Sequence, residues 1–344
     1  MSDFQYSVEI AGSCNLRCPS CPVGNIDERL IAKKLIDKNL FYKILDKIDA
    51  ERAVPNPLIS LFDWGEPTLH PNLPDFIKYI NKKNMISRIS SNLNVDADFD
   101  KIISANPHEF KISLSGYYQK TYSRTHSRGN IYKVMQNLYK LKHLKDKYKS
   151  STKIFIGFHV YKHNAKKDFQ KYLDLCKELS FIFEPIVAQL MPIEKNLSLI
   201  ENKYGNIKDK ISFKLPSITE QDKNLIDLLI FDPLKEHENW KKSKNNQKDF
   251  ACKKKDKKLA IRTDGSVPIC CGVYGDEFVV VKDFLSTSFD EIQKIRNSYD
   301  LCNTCINNGL HNGWQKLKNS FFSRYLTSNT VTGKFLRHFI SYKE

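Results

Sequence analysis

The chain has no run of about 18 consecutive apolar residues, which excludes an ordinary membrane-spanning helix. Its opening, MSDFQYSVEIAGS, lacks the basic and apolar regions of a secretory signal, so a cytoplasmic protein with reduced thiols is expected. No internal repeats are found. Acidic residues are in deficit, 39 against 55 Lys and Arg, giving a net charge of +16. Such an excess favours polyanions: nucleic acid, an anionic membrane surface or phosphorylated substrates. The competing reading is a lysine-coated soluble surface, because the lysines are spread along the chain and rarely interleaved with aromatics as in a nucleic-acid groove. A disulfide framework is not expected in a reducing compartment, so nine cysteines read as metal ligands or catalytic thiols. The 344 residues, 41% hydrophobic, suffice for one large domain and a smaller one.

Between residues 5 and 190, short β-branched runs alternate with amphipathic segments. The runs are QYSVEIA (5–11), PLISLFDWG (57–65), SRISSNLN (87–94), HEFKISLSG (108–116), TKIFIGFHVY (152–161) and FIFEPIVAQL (181–190). In KNLFYKILDKI, Leu40, Phe41, Ile44, Leu45 and Ile48 share one helical face. Residues 130–144 and 166–180 read the same way. Six such units predict an α/β fold, a partial (β/α)6 barrel of the TIM type, with ligands at the carboxyl ends of its strands. Residues 196–250 read as a linker with one or two helices, in which KEHENWKKSKNNQKD offers nothing to a core. LAIRTDGSVPICCGVYG reads as a hairpin turning at Asp264–Gly265, and FDEIQKIRNS as a helix leading into CNTC. The expected organisation is a barrel (1–195), the linker (196–250), a small hairpin and helix domain (251–310) and a basic, aromatic tail (311–344).

GSCNLRCPSCPVG places Cys14, Cys18 and Cys21 directly after the first strand. Three thiolates cannot close a tetrahedral zinc site without a distant fourth ligand. They do suit three corners of an iron–sulfur cubane, leaving the fourth iron open. At the second strand end stands DWGEP (63–67), at the third SSNLN (90–94), and after the fourth SLSG (113–116) and RTHSRGN (124–130).

In these motifs and their order, the sequence resembles the radical S-adenosylmethionine superfamily. The resemblance implies a [4Fe–4S] cluster on the three cysteines, with S-adenosylmethionine at its open iron. DWGEP looks like that family's GGEP motif, so Gly65, Glu66 and Pro67 would meet the amino group of the methionine. Asn92 lies in the stretch resembling TNG. Ser113 would approach the ribose and Arg128 the carboxylate, while Leu190, within Gln189-Leu190-Met191, would offer apolar contact to adenine. The implied chemistry is reductive cleavage to a 5′-deoxyadenosyl radical, which takes a hydrogen atom from the substrate, with flavodoxin or ferredoxin as reductant. The chain departs from the pattern at Ser20, where an aromatic residue is usual, at Asp63-Trp64, and at Ser115, where Asp is common.

Cys252, Cys270, Cys302 and Cys305 form a second group, C-x12-G-x4-C followed by C-x2-C, that would close one metal site. Zinc fits it by itself. Beside a radical S-adenosylmethionine domain it resembles the twitch domain, the shortened SPASM extension that carries a second, auxiliary [4Fe–4S] cluster. Cys271 is spare and reads as an inert small hydrophobe; Cys176 reads as core. The tail carries Lys316, Lys318, Arg324, Lys334, Arg337 and Lys343 among aromatics, and is expected to pack on the barrel rather than lie on a membrane.

The closed second group favours electron loss from the substrate radical, hence an oxidoreductase that dehydrogenates a sugar or cyclitol. With no peptide-recognition domain before the first strand, a small substrate is expected, nucleotide- or lipid-linked to match the charge. The alternatives are an epimerase, a peptide-modifying enzyme, and a zinc-stabilised nucleic-acid-binding protein that would leave the GEP motif idle.

Overall fold

The computed structural model describes residues 4–25, 35–205, 207–243 and 252–311. Six strands alternate with helices as the hydrophobic pattern requires: β1 (Gln5–Val8), β2 (Leu58–Ser60), β3 (Ile86–Ser91), β4 (Glu109–Leu114), β5 (Lys153–Val160) and β6 (Ile182–Val187). Each pairs in parallel with the next, and a seventh strand, β7 (Lys258–Ile261), pairs in parallel with β1. The order β6-β5-β4-β3-β2-β1-β7 leaves both edges unjoined, as in an open partial barrel.

The crossover helices form because their apolar stripes have a sheet to cover. Asp37 caps the helix Lys38–Ala50 by accepting from the Asn39 and Leu40 N–H groups at 2.9 Å. Phe41, Ile44, Leu45 and Ile48 are buried on one stripe, at about 1.5–3 kcal/mol for each side chain taken out of water. Phe41 stacks on Phe76 of the next crossover helix, Leu73–Lys82, with ring centroids 3.9 Å apart. The helices Ile131–Lys147 and Lys167–Leu179 close the following units, and Cys176 is buried in the main core as its helical face predicts.

Three expectations change. LAI of the expected hairpin is β7, which completes the barrel sheet. The edge of β1 was open, and Leu259 and Ile261 gain the main core by pairing there. The turn at Gly265 stands, with φ of 84°, but the antiparallel partner of β8 (Val267–Pro268) is β9 (Val279–Val281). The linker holds three helices, Ile193–Tyr204, Glu220–Leu228 and Pro233–Ser243. Within KEHENWKKSKNNQKD, His237 and Trp240 are buried, the indole lying against Gly309 and the His311 ring. Trp240 escaped the sequence reading because charges flank it on both sides.

A second core gathers Ile193, Leu197, Ile200, Ile269, Val273, Phe278 and Leu301. The helices Phe289–Ser298 and Asp300–Asn307 follow it in the chain. The basic tail, Lys316 through Lys343, lies outside the described residues. No described helix is long and apolar enough to cross a membrane.

Candidate functional site

A cavity of about 610 Å³ opens at the carboxyl ends of the barrel strands, within the range of small-molecule sites. Cys14, Cys18 and Cys21 line it, with Gly65 and Glu66 after β2, Asn92 after β3 and Ser113 on β4. Residues 14–113 thus meet because every strand end faces the same rim.

The cysteine loop is held by short-range bonds. Cys21 N–H donates to the Cys18 carbonyl at 3.1 Å, and Gly24 N–H to the Cys21 carbonyl at 3.0 Å. Gly24 is required by close approach: a Cβ there would lie 2.3 Å from the Cys18 carbonyl oxygen. The side chain of Asn92 donates to Cys14 Sγ at 3.5 Å, tying the loop to β3. Arg17 N–H donates to the Ser127 carbonyl at 3.1 Å, tying it to the RTHSRGN loop.

The DWGEP loop rests on Glu9, one residue past β1. Its Oε1 accepts from the N–H groups of Trp64 at 3.1 Å and Gly65 at 3.2 Å. A Cβ on Gly65 would lie 1.7 Å from the Ala11 carbonyl oxygen, so only glycine fits. Glu66 is buried; its two oxygens accept from Thr68 N–H at 3.1 Å and Asn92 N–H at 2.8 Å. Burial raises its carboxyl pKa, and these bonds oppose the rise. Ser113 shares a 3.3 Å hydroxyl contact with Ser90.

Not every expected residue reaches the cavity. Pro67 is buried at the start of the short turn Pro67–Leu69. Leu190 packs with Tyr161, Ala188, Leu225 and Leu229, while its neighbours Gln189 and Met191 line the cavity. Arg128, with φ of 69°, is not among the lining residues. Cys271 does line the cavity, against the inert reading, as do Lys254, Lys258, Asp63 and Ser20. Glu9 carried no sequence signal beyond its place after a strand. Asp63 and Trp64 were visible only as departures from a pattern.

Among the described residues no three His, Cys, Asp or Glu side chains converge on a point where one ion would sit. A cubane asks for something else, with each thiolate at its own iron corner around a shared space. The disposition of Cys14, Cys18 and Cys21 around one cavity meets that requirement. Burial pushes the Cys14 thiol up to about 12 and the Cys21 thiol up to about 11, and raises Cys18 as well. A cationic cluster core reverses this by stabilising the thiolates directly.

Cys252, Cys270, Cys302 and Cys305 line a second cavity, with His311 at its wall. Beside them Arg296 is 1% exposed, donating to the carbonyls of Ile269 at 3.1 Å and Lys258 at 2.8 Å. A buried guanidinium close to four thiols suits a site with net negative charge. The space between them, about 30 Å³, is nearer the room of one ion than of a cubane.

A parallel barrel with a strand-end thiol cavity defines an enzyme of the cluster-bearing type. Residues 8–178 match the family model of the radical SAM superfamily, and the chain belongs to that superfamily. It is 35% identical over 85 residues to the tungsten-containing aldehyde ferredoxin oxidoreductase cofactor-modifying protein of Pyrococcus furiosus, a match spanning 25% of this chain and 22% of that relative. The fold is similar to SuiB of Streptococcus suis bound to S-adenosylmethionine, with a TM-score of 0.55, 13% identity, and coverage of 90% of this chain and 68% of that one. It is also similar to anSMEcpe with bound S-adenosylmethionine, with a TM-score of 0.53, 15% identity, and coverage of 86% and 82%.

Proposed function

We propose that this chain binds a [4Fe–4S] cluster on Cys14, Cys18 and Cys21 and dehydrogenates a small carbinol substrate, a sugar or cyclitol. The observation that carries the reading is the meeting of these three thiols with Gly65, Glu66, Asn92 and Ser113 around one cavity. When bound, the cluster and S-adenosylmethionine supply one-electron cleavage to a 5′-deoxyadenosyl radical that takes a hydrogen atom from the substrate. The chain's own residues do the placing. Glu9 and Glu66 fix the DWGEP backbone against β1 and β3, so the methionine end meets a rigid edge. Ser113 faces the ribose side, and Gln189 and Met191 take the adenine contact expected of Leu190. Trp64 and Tyr274, in edge contact at 6.3 Å, narrow the rim and exclude water.

The four thiols of the second cavity, with Arg296 beside them, support a closed metal site, which we read as the auxiliary cluster of a twitch-type domain. A closed site suits electron transfer and therefore net oxidation of the carbinol to a ketone. The reductant would be a flavodoxin or ferredoxin. Epimerisation is the second reading, because Cys271 lines the catalytic cavity, where a thiol can return a hydrogen atom.

Turnover of candidate polyols in deuterated water, read by mass spectrometry, tests the reading. Oxidation gives a product two mass units lighter with no solvent deuterium at the reacting carbon, provided enol exchange is suppressed. A product of unchanged connectivity carrying one deuterium would establish epimerisation instead. Absence of 5′-deoxyadenosine under any reducing condition would end both readings.

A further inference from the structure

Resting on the reading of this cavity as the catalytic site, we infer that its substrate carries an oxyanion, a phosphate or a carboxylate, held by Lys254 and Lys258. Both lysines line the cavity beside Asp63 and Cys271. Lys258 is the first residue of β7, the strand that joins the barrel beside β1. The β7 wall therefore adjoins the strand that leads into the cysteine loop.

The remaining charges of the cavity are accounted for. Lys111 is paired with Glu184 at 3.1 Å. Glu66 is bound to Thr68 and Asn92. His126 accepts or donates at the Ser115 hydroxyl at 2.6 Å, and burial pulls its pKa down to about 3; His159 lies against the Leu114 carbonyl at 3.2 Å and is pulled down to about 4. Both imidazoles are thus neutral. Two lysines then face Asp63, whose carboxyl is pushed up by burial. The wall holds more positive than negative charge in a space largely removed from water. A desolvated cation there is stabilised most by an anion that enters with the ligand. Two ammonium groups on one wall match an oxyanion with several acceptor oxygens better than a neutral polyol.

The test is calorimetric titration of the anaerobic holoenzyme with pyrophosphate, inorganic phosphate and succinate at constant ionic strength. One saturable site is expected, weakened about tenfold by Lys254→Gln or Lys258→Gln and more by both. Lys254→Arg and Lys258→Arg should keep binding, and Lys101→Gln, on an exposed surface, should leave it unchanged. Tighter pyrophosphate than succinate assigns a phosphate-bearing substrate; the reverse order assigns a carboxylate. Unsaturable binding, or equal isotherms for wild type and the double Gln variant, would overturn the proposal. Formation of 5′-deoxyadenosine by the wild-type preparation is measured separately. Its presence without an anion site sinks the lysine assignment alone, and its absence with an intact anion site sinks the radical reading alone.

Discussion

The indole N–H of Trp64 donates to the carbonyl of Val273 at 3.2 Å, joining a barrel loop to the second core across 209 residues of sequence. Val273 belongs to the core built around Ile193, Ile269 and Leu301, so the GEP loop is braced from both sides: Glu9 beneath it and Val273 across the rim. Trp64→Phe keeps the ring and removes only the hydrogen bond, at a cost of about 1 kcal/mol. The dissociation constant for S-adenosylmethionine, measured by calorimetry, is expected to rise about fivefold. Trp64→Ala should raise it further. Wild-type affinity in both variants would show that the brace does not shape the site.

Gly65→Ala tests the close approach directly. The added methyl meets the Ala11 carbonyl, so the loop must move away from the cysteines. Affinity for S-adenosylmethionine should fall more than tenfold while the thermal midpoint of the fold changes little. Glu9→Ala, which strands two N–H groups, should weaken it similarly at about 1–3 kcal/mol per group. Glu9→Gln, which retains one acceptor oxygen, should be milder. Equal effects of Ala and Gln at position 9 would contradict the hydrogen-bond account.

Metal content separates the two thiol cavities. Protein purified without oxygen is expected to hold about eight iron atoms if both carry cubanes. Replacing Cys14, Cys18 and Cys21 by Ala should remove about four of them and abolish 5′-deoxyadenosine formation. Replacing Cys302 and Cys305 should remove the other four. One zinc and about four iron in the wild type would instead make the second site structural, in line with its small volume.

Glu194 gives stability a pH dependence. It is 2% exposed at the start of the helix Ile193–Tyr204, accepts from Tyr274 N–H at 2.9 Å, and burial pushes it up to about 8 from an ordinary 4.5. The folded form therefore holds a proton that the unfolded form loses. Its contribution is present in full below about 4.5 and is lost as pH rises through about 8. Glu194→Gln should flatten the decline in thermal midpoint between pH 5 and 8. An unchanged slope would place the titrating group elsewhere.

The sequence by itself determined the strand and helix alternation, because period-2 and period-3.6 patterns are local properties of the chain. It also determined the two thiol groups, since spacing on one loop is local too. Tertiary structure decided what depends on distant partners. The residues LAI read as a hairpin arm until the open edge of β1 offered Leu259 and Ile261 a core. Cys270 and Cys271 are adjacent and chemically identical, yet Cys270 lines the second cavity and Cys271 the catalytic one. Leu190 is an apolar residue between two lining residues, and the helix Glu220–Leu228 draws it away from the cavity by offering Leu225 as a neighbour. Glu9 gained its role only when β2 placed Trp64 and Gly65 above it. In each case the direction of one side chain was fixed by an element far away in the chain, and no local pattern encodes that direction.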